Sequence, residues 1–513
     1  MKRPNAAGSV LQALEPVAKK LAEMEQRALA GQPTAVVQMG CELADSLREA
    51  GRRAIDLLLE QAARAEPTGG TCACGGQTHS EGFEPKSFIM RFGRVSVMRR
   101  RRECDACGSS ELGFDKAWSL PEGEFADDVR EATERLVCRL GYAEGIEELD
   151  KLWGVAPKAS STAQRWVVQD GQRAQQVVRE DGLQHWNRYI ELQHAVVQGE
   201  QAASEREPGF GVVQADGVHV LTWKPGQESR RKLGQSPAAT PQQVSASSAE
   251  SQLSDAVLRH QPPSTLSQVQ GSPMGPKARS ERVQGREVCV GLVYLGEHAC
   301  EQSAGHGTLL ERRYVVTLNN REGFWVQLHD AAASHGVLNR QQLVWLSDGG
   351  SYFIDRSAEL FQDQPLVPVL DIQHARQHVW ETGHKLTSDK NAVRAWVAPH
   401  LRAVDEGSAL GVVIDLAEER KRRTSAEQRK ALDALSGYVQ RHAHMMDYPR
   451  YRQAGYPIAS AAIESTNKRL VSRRCKQGGM LWGETGLEAI LALRAAMFNP
   501  GAWYRLWPHA AAA

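Results

Sequence analysis

Two apolar stretches of this sequence each run into an aspartate followed by glycine. Residues 210–216 end in Asp216 before Gly217, and residues 343–346 lead through Ser347 to Asp348, Gly349 and Gly350. Their Val, Leu and Trp content predicts strands. A carboxylate at the end of a buried strand is costly unless it is paired or holds a cation. The glycine lets the backbone turn and a ligand come close. A third carboxylate, Glu464, lies in a predicted helix start, 458–467, whose small residues permit close packing on a sheet. If the three converge within a few ångströms, they form a hard, all-oxygen site suited to two Mg²⁺ or Mn²⁺ ions.

Further strands are expected at 286–295, 313–318 and 366–370, with helical patterns between the later ones. This alternation predicts a mixed α/β sheet. The sheet-forming part spans 205–513 and carries two expected interruptions. Residues 225–284 are dense in Gln, Ser, Pro and Ala, lack a period, and read as a disordered insertion. Residues 375–455 read as a helical insertion, with a solvated charged face at 418–430.

Three smaller units precede it. Residues 1–69 read as a helical packing or dimerising arm, with Leu11, Leu14, Val17, Leu21 and Met24 in helical period, broken by 31–33. Residues 70–118 contain Cys72-Ala73-Cys74 and Cys104-Asp105-Ala106-Cys107 among short strands, each pair followed by Gly. This suggests a zinc ribbon with four thiolate ligands. Thr71 stands where a first C-x-x-C would have its outer cysteine, and His79 is an outside candidate ligand. Arg99, Arg100, Arg101 and Arg102 predict a cationic strand for phosphates. Residues 119–185 read as helices at 126–140, 143–153 and 160–172, with Gly154-Val155 as the turn and Ser160 as a cap. This fits a helix-turn-helix with Lys158, Gln164 and Arg165 as DNA contacts, or a plain helical bundle.

The 513 residues suggest about three domains, and 62 basic against 61 acidic residues exclude a uniformly basic coat. A local basic patch stands out after Glu464: Asn467, Lys468, Arg469, Arg473, Arg474 and Lys476. Beside an acidic metal site such a patch fits a polyanion; alone it reads as a solvated helix face. No apolar run suits a membrane-spanning helix, and no signal peptide is visible. Nine cysteines are too few for a disulfide scaffold and suit a reducing cytosol. Phosphate-loop, dinucleotide-fold, serine-hydrolase and zincin motifs are missing, so no nucleotide cofactor is expected. His374 and His378 lie one helical turn apart, a spacing open to metal binding or to surface and core roles.

The segments around Asp216, Asp348, Asp371-Ile372-Gln373-His374, Glu464-Ser465 and Met480-Leu481-Trp482 resemble, in order and spacing, the acidic-triad (DDE) transposases of bacterial insertion sequences. The ISKra-type group, related to Mutator-like elements, is the most similar branch. It carries a C/D-x-x-H motif a couple of dozen residues after the second Asp, which Asp371 and His374 match. The ending 490–507 is similar too, and the resemblance covers about 70–513. It implies a ribonuclease H-like (retroviral-integrase-type) catalytic core in which the first and fourth strands are neighbours. Asp216, Asp348 and Glu464 would hold two Mg²⁺ ions, with Asp371 and His374 near the site. It further implies double-stranded DNA as partner, both element ends and target, a homo-oligomer, and a nucleoid-associated place in the bacterial cytoplasm. A catalytically inactive, repurposed DNA-binding repressor and a related nuclease are the alternatives.

Overall fold

The computed structural model describes residues 6–32, 35–177, 206–225, 282–303, 306–318, 320–499 and 501–511. The expected disordered insertion lies outside these residues except at its two ends. Among the described residues no helix is long and apolar enough to cross a membrane.

The chain opens with the helices Ala6–Leu29 and Val36–Ala65. Ala13, Val17 and Met24 of the first are buried, whereas Leu11, Leu14 and Leu21 stay exposed. The leucine period therefore marks an outer face of the arm rather than its packing seam. The second helix buries Leu59 and Ala63 against Phe88, Val95, Val97 and Phe114 of the next unit.

That unit is a four-stranded antiparallel sheet, β1 (Gly70–Thr71), β2 (Gln77–Met90), β3 (Gly93–Cys104) and β4 (Ser110–Glu111), paired in sequence order. The helices Asp127–Val137 and Tyr142–Trp153 follow, then a helical stretch over 160–177. Gly154 turns the chain in the left-handed region (φ +66°) and its N–H bonds the Asp150 carbonyl, a conformation that favours glycine. The third helix starts at residue 160 itself, so Ser160 is its first residue and not its cap. Its buried Ala163, Trp166, Val167, Asp170 and Ala174 form one face.

The main sheet comprises β5 (Glu207–Trp223), β6 (Val283–Leu295), β9 (Arg313–Leu318), β10 (Arg340–Ser347) and β11 (Leu366–Leu370), with a small hairpin, β7 (Ala299–Ser303) and β8 (His306–Leu309), between β6 and β9. The order across the sheet is β11-β10-β5-β6-β9. β5, β10 and β11 run parallel, and β6 is antiparallel to both of its neighbours. Alternation along each strand sends side chains to two cores. Val344 and Leu346 join the helices of the insertion and the C-terminus, while Leu343 and Trp345 meet Phe324, Trp325 and Leu328 on the opposite face. The second face is covered by the helix Arg321–Ser334.

Two strand ends differ from expectation. β6 begins at Val283, before the expected 286. β5 does not stop at Asp216 but continues to Trp223, because Val218 and Val220 are buried and pair with β6. β10 leaves β5 after the Leu346–Gln214 pair, so Asp216 is set in the cleft that opens where the two strands part.

The insertion contains the helices Ile372–Leu386, Lys390–Asp405, Ala409–Arg422 and Ala426–His442. Past it, the helix Ala461–Asn467 carries Glu464 and widens into a π turn over Lys468–Ser472. The helix Glu484–Phe498 then packs under the sheet beside β9.

Candidate active site and metal centre

Parallel strands deliver their C-terminal ends to one edge. Asp348 follows β10 there, and its Oδ1 accepts a 3.0 Å hydrogen bond from the Gly350 N–H, closing a tight turn. Asp371 follows β11; its N–H donates to the Ser347 carbonyl (2.8 Å), which ties the two strand ends together. Asp216 lies one strand over and accepts from Asn467 Nδ2 at 2.5 Å. The helix Ala461–Asn467 is pinned above β5 by a second contact, in which the Ile463 N–H donates to Gln214 Oε1 (3.2 Å).

The carboxylates differ in setting. Asp216 and Asp348 are half-buried, Asp371 is buried, and Glu464 is exposed. Burial pushes the Asp216 carboxyl above its ordinary range, and the negative charge of Asp348 adds to the push against the opposing Gly217 N–H and Asn467 bonds. Asp371 shows the reverse balance. Burial would raise it, but hydrogen bonds from His374, Ser460 and the Gln373 N–H hold it below the ordinary range. His374 Nδ1 lies 3.3 Å from Asp371 Oδ2. That bond, with the charges of Asp371, Asp348 and Asp216, raises the imidazole's pKa against the opposing effect of burial.

Glu464 joins the group through Ser460. The Ser460 hydroxyl lies 2.5 Å from Asp371 Oδ2 and 2.8 Å from Glu464 Oε1. It has one proton to give, so it serves one of these two carboxylates at a time. The triad is thus mounted on one cleft but not drawn to a point. Among the described residues only the four cysteines bring three or more ligand atoms all within 4.8 Å of one another. Asn467 Oδ1, beside Asp216, is buried without a hydrogen-bond partner. An orphaned oxygen on a residue bonded to Asp216, in the cleft that Asp348 also enters, is a donor that fits a hard divalent cation.

The basic run after Glu464 divides. Lys468, Arg473 and Lys476 are exposed. Asn467 is buried and donates to Asp216. Arg474 is buried: its Nε donates to the Val137 carbonyl (2.7 Å) and its guanidinium lies over Tyr142 and Trp482. Arg469 turns inward over Phe498 and toward the Tyr314 hydroxyl. The π turn adds a residue to the helical repeat and redirects these side chains. The predicted cationic strand is corrected more fully. Arg99 is buried against Asp115, Arg101 pairs with Glu84, and Arg102 pairs with Glu66. Arg100 bonds Ser80 and covers Phe83. Carboxylates within the fold offset most of that charge. Lys158, Gln164 and Arg165 are exposed.

Cys72, Cys74, Cys104 and Cys107 lie close together and can hold a metal such as zinc. Cys72 and Cys107 sulfurs are 3.8 Å apart, and those of Cys74 and Cys104 3.6 Å. A tetrahedral zinc with bonds near 2.3 Å needs sulfur separations of about 3.8 Å. The C-x-C spacing suffices because Gly75 (φ +88°) turns the knuckle, with Cys72 and Gly76 backbone groups bonded. Ser109 hydrogen bonds bring the Cys107 thiol down to about 6. His79 stands apart from the sulfurs, 2.7 Å from Asp105. His378 packs on Tyr438 (ring centroids 4.0 Å), and its partner in the i, i+4 pair, His374, is engaged by Asp371.

Gln214, Ser460 and His442 were not singled out from the sequence. Gln214 left a signal, a lone amide in the apolar stretch before Asp216. Ser460, one turn before Glu464, left a weaker one.

Comparison of the chain with protein-family models finds no match, and comparison with curated proteins finds none either.

Proposed function

We propose that this chain is a DNA transposase of the acidic-triad type, with a ribonuclease H-like core formed by the main sheet. The observation that carries the reading is the pairing of β5 with β10, the first and fourth strands of that sheet, which puts Asp216 beside Asp348 while Asn467 brings the helix of Glu464 over them. Asp216, Asp348 and Glu464 would hold Mg²⁺ or Mn²⁺. Bound there, such ions activate an attacking oxygen and stabilise the leaving oxygen of a phosphodiester. The chain's own residues prepare that chemistry. Asn467 fixes the Asp216 carboxylate, and Ser460 with Asp371 orients Glu464. His374, half-exposed and favoured in its charged form, offers a cation at the cleft. Lys468, Arg473 and Lys476 contact neighbouring phosphates. Water hydrolyses the strand at an element end, freeing a 3′ hydroxyl, which then attacks target DNA by transesterification. The cysteine module and the helices of 127–177 bind the terminal inverted repeats, and an oligomer joins two ends.

The test uses duplexes made from the DNA flanking the gene, with Mg²⁺, comparing wild type with Asp216→Asn. The transposase reading expects equal binding and loss of cleavage and strand transfer in the variant. Binding without cleavage by either protein makes the chain a repressor. Cleavage without joining of pre-cut ends makes it a nuclease.

A further inference from the structure

His442 ends the insertion helix Ala426–His442 and is buried beneath the turn that carries Asp348. Its Nδ1 lies 2.9 Å from the Tyr438 carbonyl, and its Nε2 lies 3.1 Å from the Gly349 carbonyl. Both partners accept only. A ring N–H donated from Nε2 ties the end of the insertion helix to the turn that carries Asp348. Gly349 has φ +93°, and a Cβ there would come within 3.2 Å of His442 Nε2 and 2.8 Å of a Leu370 methyl. The turn is thus shaped around the ring. The titratable groups around His442 come from several elements. The Tyr438 ring lies tilted against it at 4.6 Å, and His378 packs on Tyr438. The charges of Asp348 and Asp371 reach the Tyr438 hydroxyl, which is buried without a partner.

We infer that His442 is a positioning residue for Asp348: its Nε2–H, supplied by the insertion, donates to the Gly349 carbonyl and fixes the carboxylate's turn. The role rests on the transposase reading only for its effect on cleavage; the donation to Gly349 is a property of the fold. It gives the insertion a direct part in shaping the cleft, through a contact spanning 93 residues of sequence.

Nitrogen NMR of the full-length, histidine-labelled protein tests the donation by showing which ring nitrogen carries a proton. A protonated Nε2 on the histidine signal that His442→Gln lacks is expected. An unprotonated Nε2 on that signal overturns the inference whether or not the protein cuts DNA. Cleavage at saturating Mg²⁺ tests the positioning. Gln retains a donor for Gly349, so His442→Gln keeps kcat within about tenfold of wild type, while His442→Ala loses about hundredfold, the scale of a small misplacement of a reacting group. Equal kcat in two folded variants overturns the positioning role. If His442→Ala does not fold, the Gln variant decides: a hundredfold loss there, with the donor kept, also overturns it. A wild type that shows no cleavage sinks the transposase reading, and the NMR result still decides His442.

Discussion

Asn467 and Asp216, 251 residues apart, meet in a 2.5 Å hydrogen bond at the cleft where β10 parts from β5. The contact favours the charged form of a carboxyl that burial and the charge of Asp348 push above its ordinary range. It leaves the second polar atom of the Asn467 amide buried and unused.

The first prediction concerns metal and stability. A carboxyl whose folded-state pKa is raised contributes stability that is fully present below the ordinary value of 3.8 and is lost as pH rises through the raised value. Above that raised value ionised Asp216 therefore costs stability until a cation relieves it. Asp216→Asn raises the melting temperature in chelator-treated buffer and abolishes the increase that Mn²⁺ gives wild type. At a hundredfold excess over Kd that increase corresponds to about 2.7 kcal/mol. Thermal melts with and without Mn²⁺ check it; equal stabilisation of both proteins removes Asp216 from the site.

The second concerns the cysteines. With Cys107 brought down to about 6, the metal-free protein carries a thiolate there at neutral pH. Alkylation at pH 7 labels Cys107 first, and zinc protects it. Cys104, the buried member, anchors the second knuckle, so Cys104→Ser loses stoichiometric zinc. Zinc affinity falls with falling pH because the ligands must be deprotonated. Metal analysis and mass-mapped labelling read both effects; labelling of Cys107 that ignores zinc would count against the site.

Much of the sheet was legible because buried strands are written as apolar runs. β9 and β11 match the expected 313–318 and 366–370 residue for residue. The end of β5 was not, since Asp216-Gly217 reads as a stop while Val218 and Val220 carry the strand onward. Charge runs were least legible. A string of arginines states charge but not direction, so nothing local separated buried Arg474 from exposed Arg473. The supports of the acidic residues were hidden for another reason: Ser460 and His442 act across 89 and 93 residues of sequence, and no local pattern encodes such a contact.

The third prediction is a pH dependence built on Glu134. Its side chain is buried beside Asp170. Burial first, and then the charge of nearby Asp170, raises its pKa well above the ordinary 4.5. Asp170 is itself held by Arg130 and Arg173, each at 2.6 Å. By the same linkage, stability from Glu134 is present below 4.5 and lost as pH climbs through the raised value. Glu134→Gln cannot ionise, so its melting temperature exceeds that of wild type increasingly toward alkaline pH. Melts from acid to alkaline pH check this; parallel curves would show that Glu134 does not titrate as argued.

The fourth separates two arginines that adjoin in sequence. Lys468, Arg473 and Lys476 face solvent beside Glu464, so replacing all three with Ala weakens DNA binding. Removing one cation from a phosphate lowers the salt-dependence slope by about 0.9, and the triple variant lowers it by about 2.7. Arg474 does different work. It carries the Val137 carbonyl at the end of the helix Asp127–Val137 and fills the space between Tyr142 and Trp482. Lysine supplies the charge but not the planar donor set. Arg474→Lys therefore costs about 1.5–3 kcal/mol of folding stability, the scale of a hydrogen bond from a charged donor, and leaves the salt slope unchanged. Urea denaturation and salt-titrated DNA binding on the two proteins distinguish these effects. A salt slope that falls in Arg474→Lys as it does in the triple variant would place Arg474 on the DNA instead of between the helices.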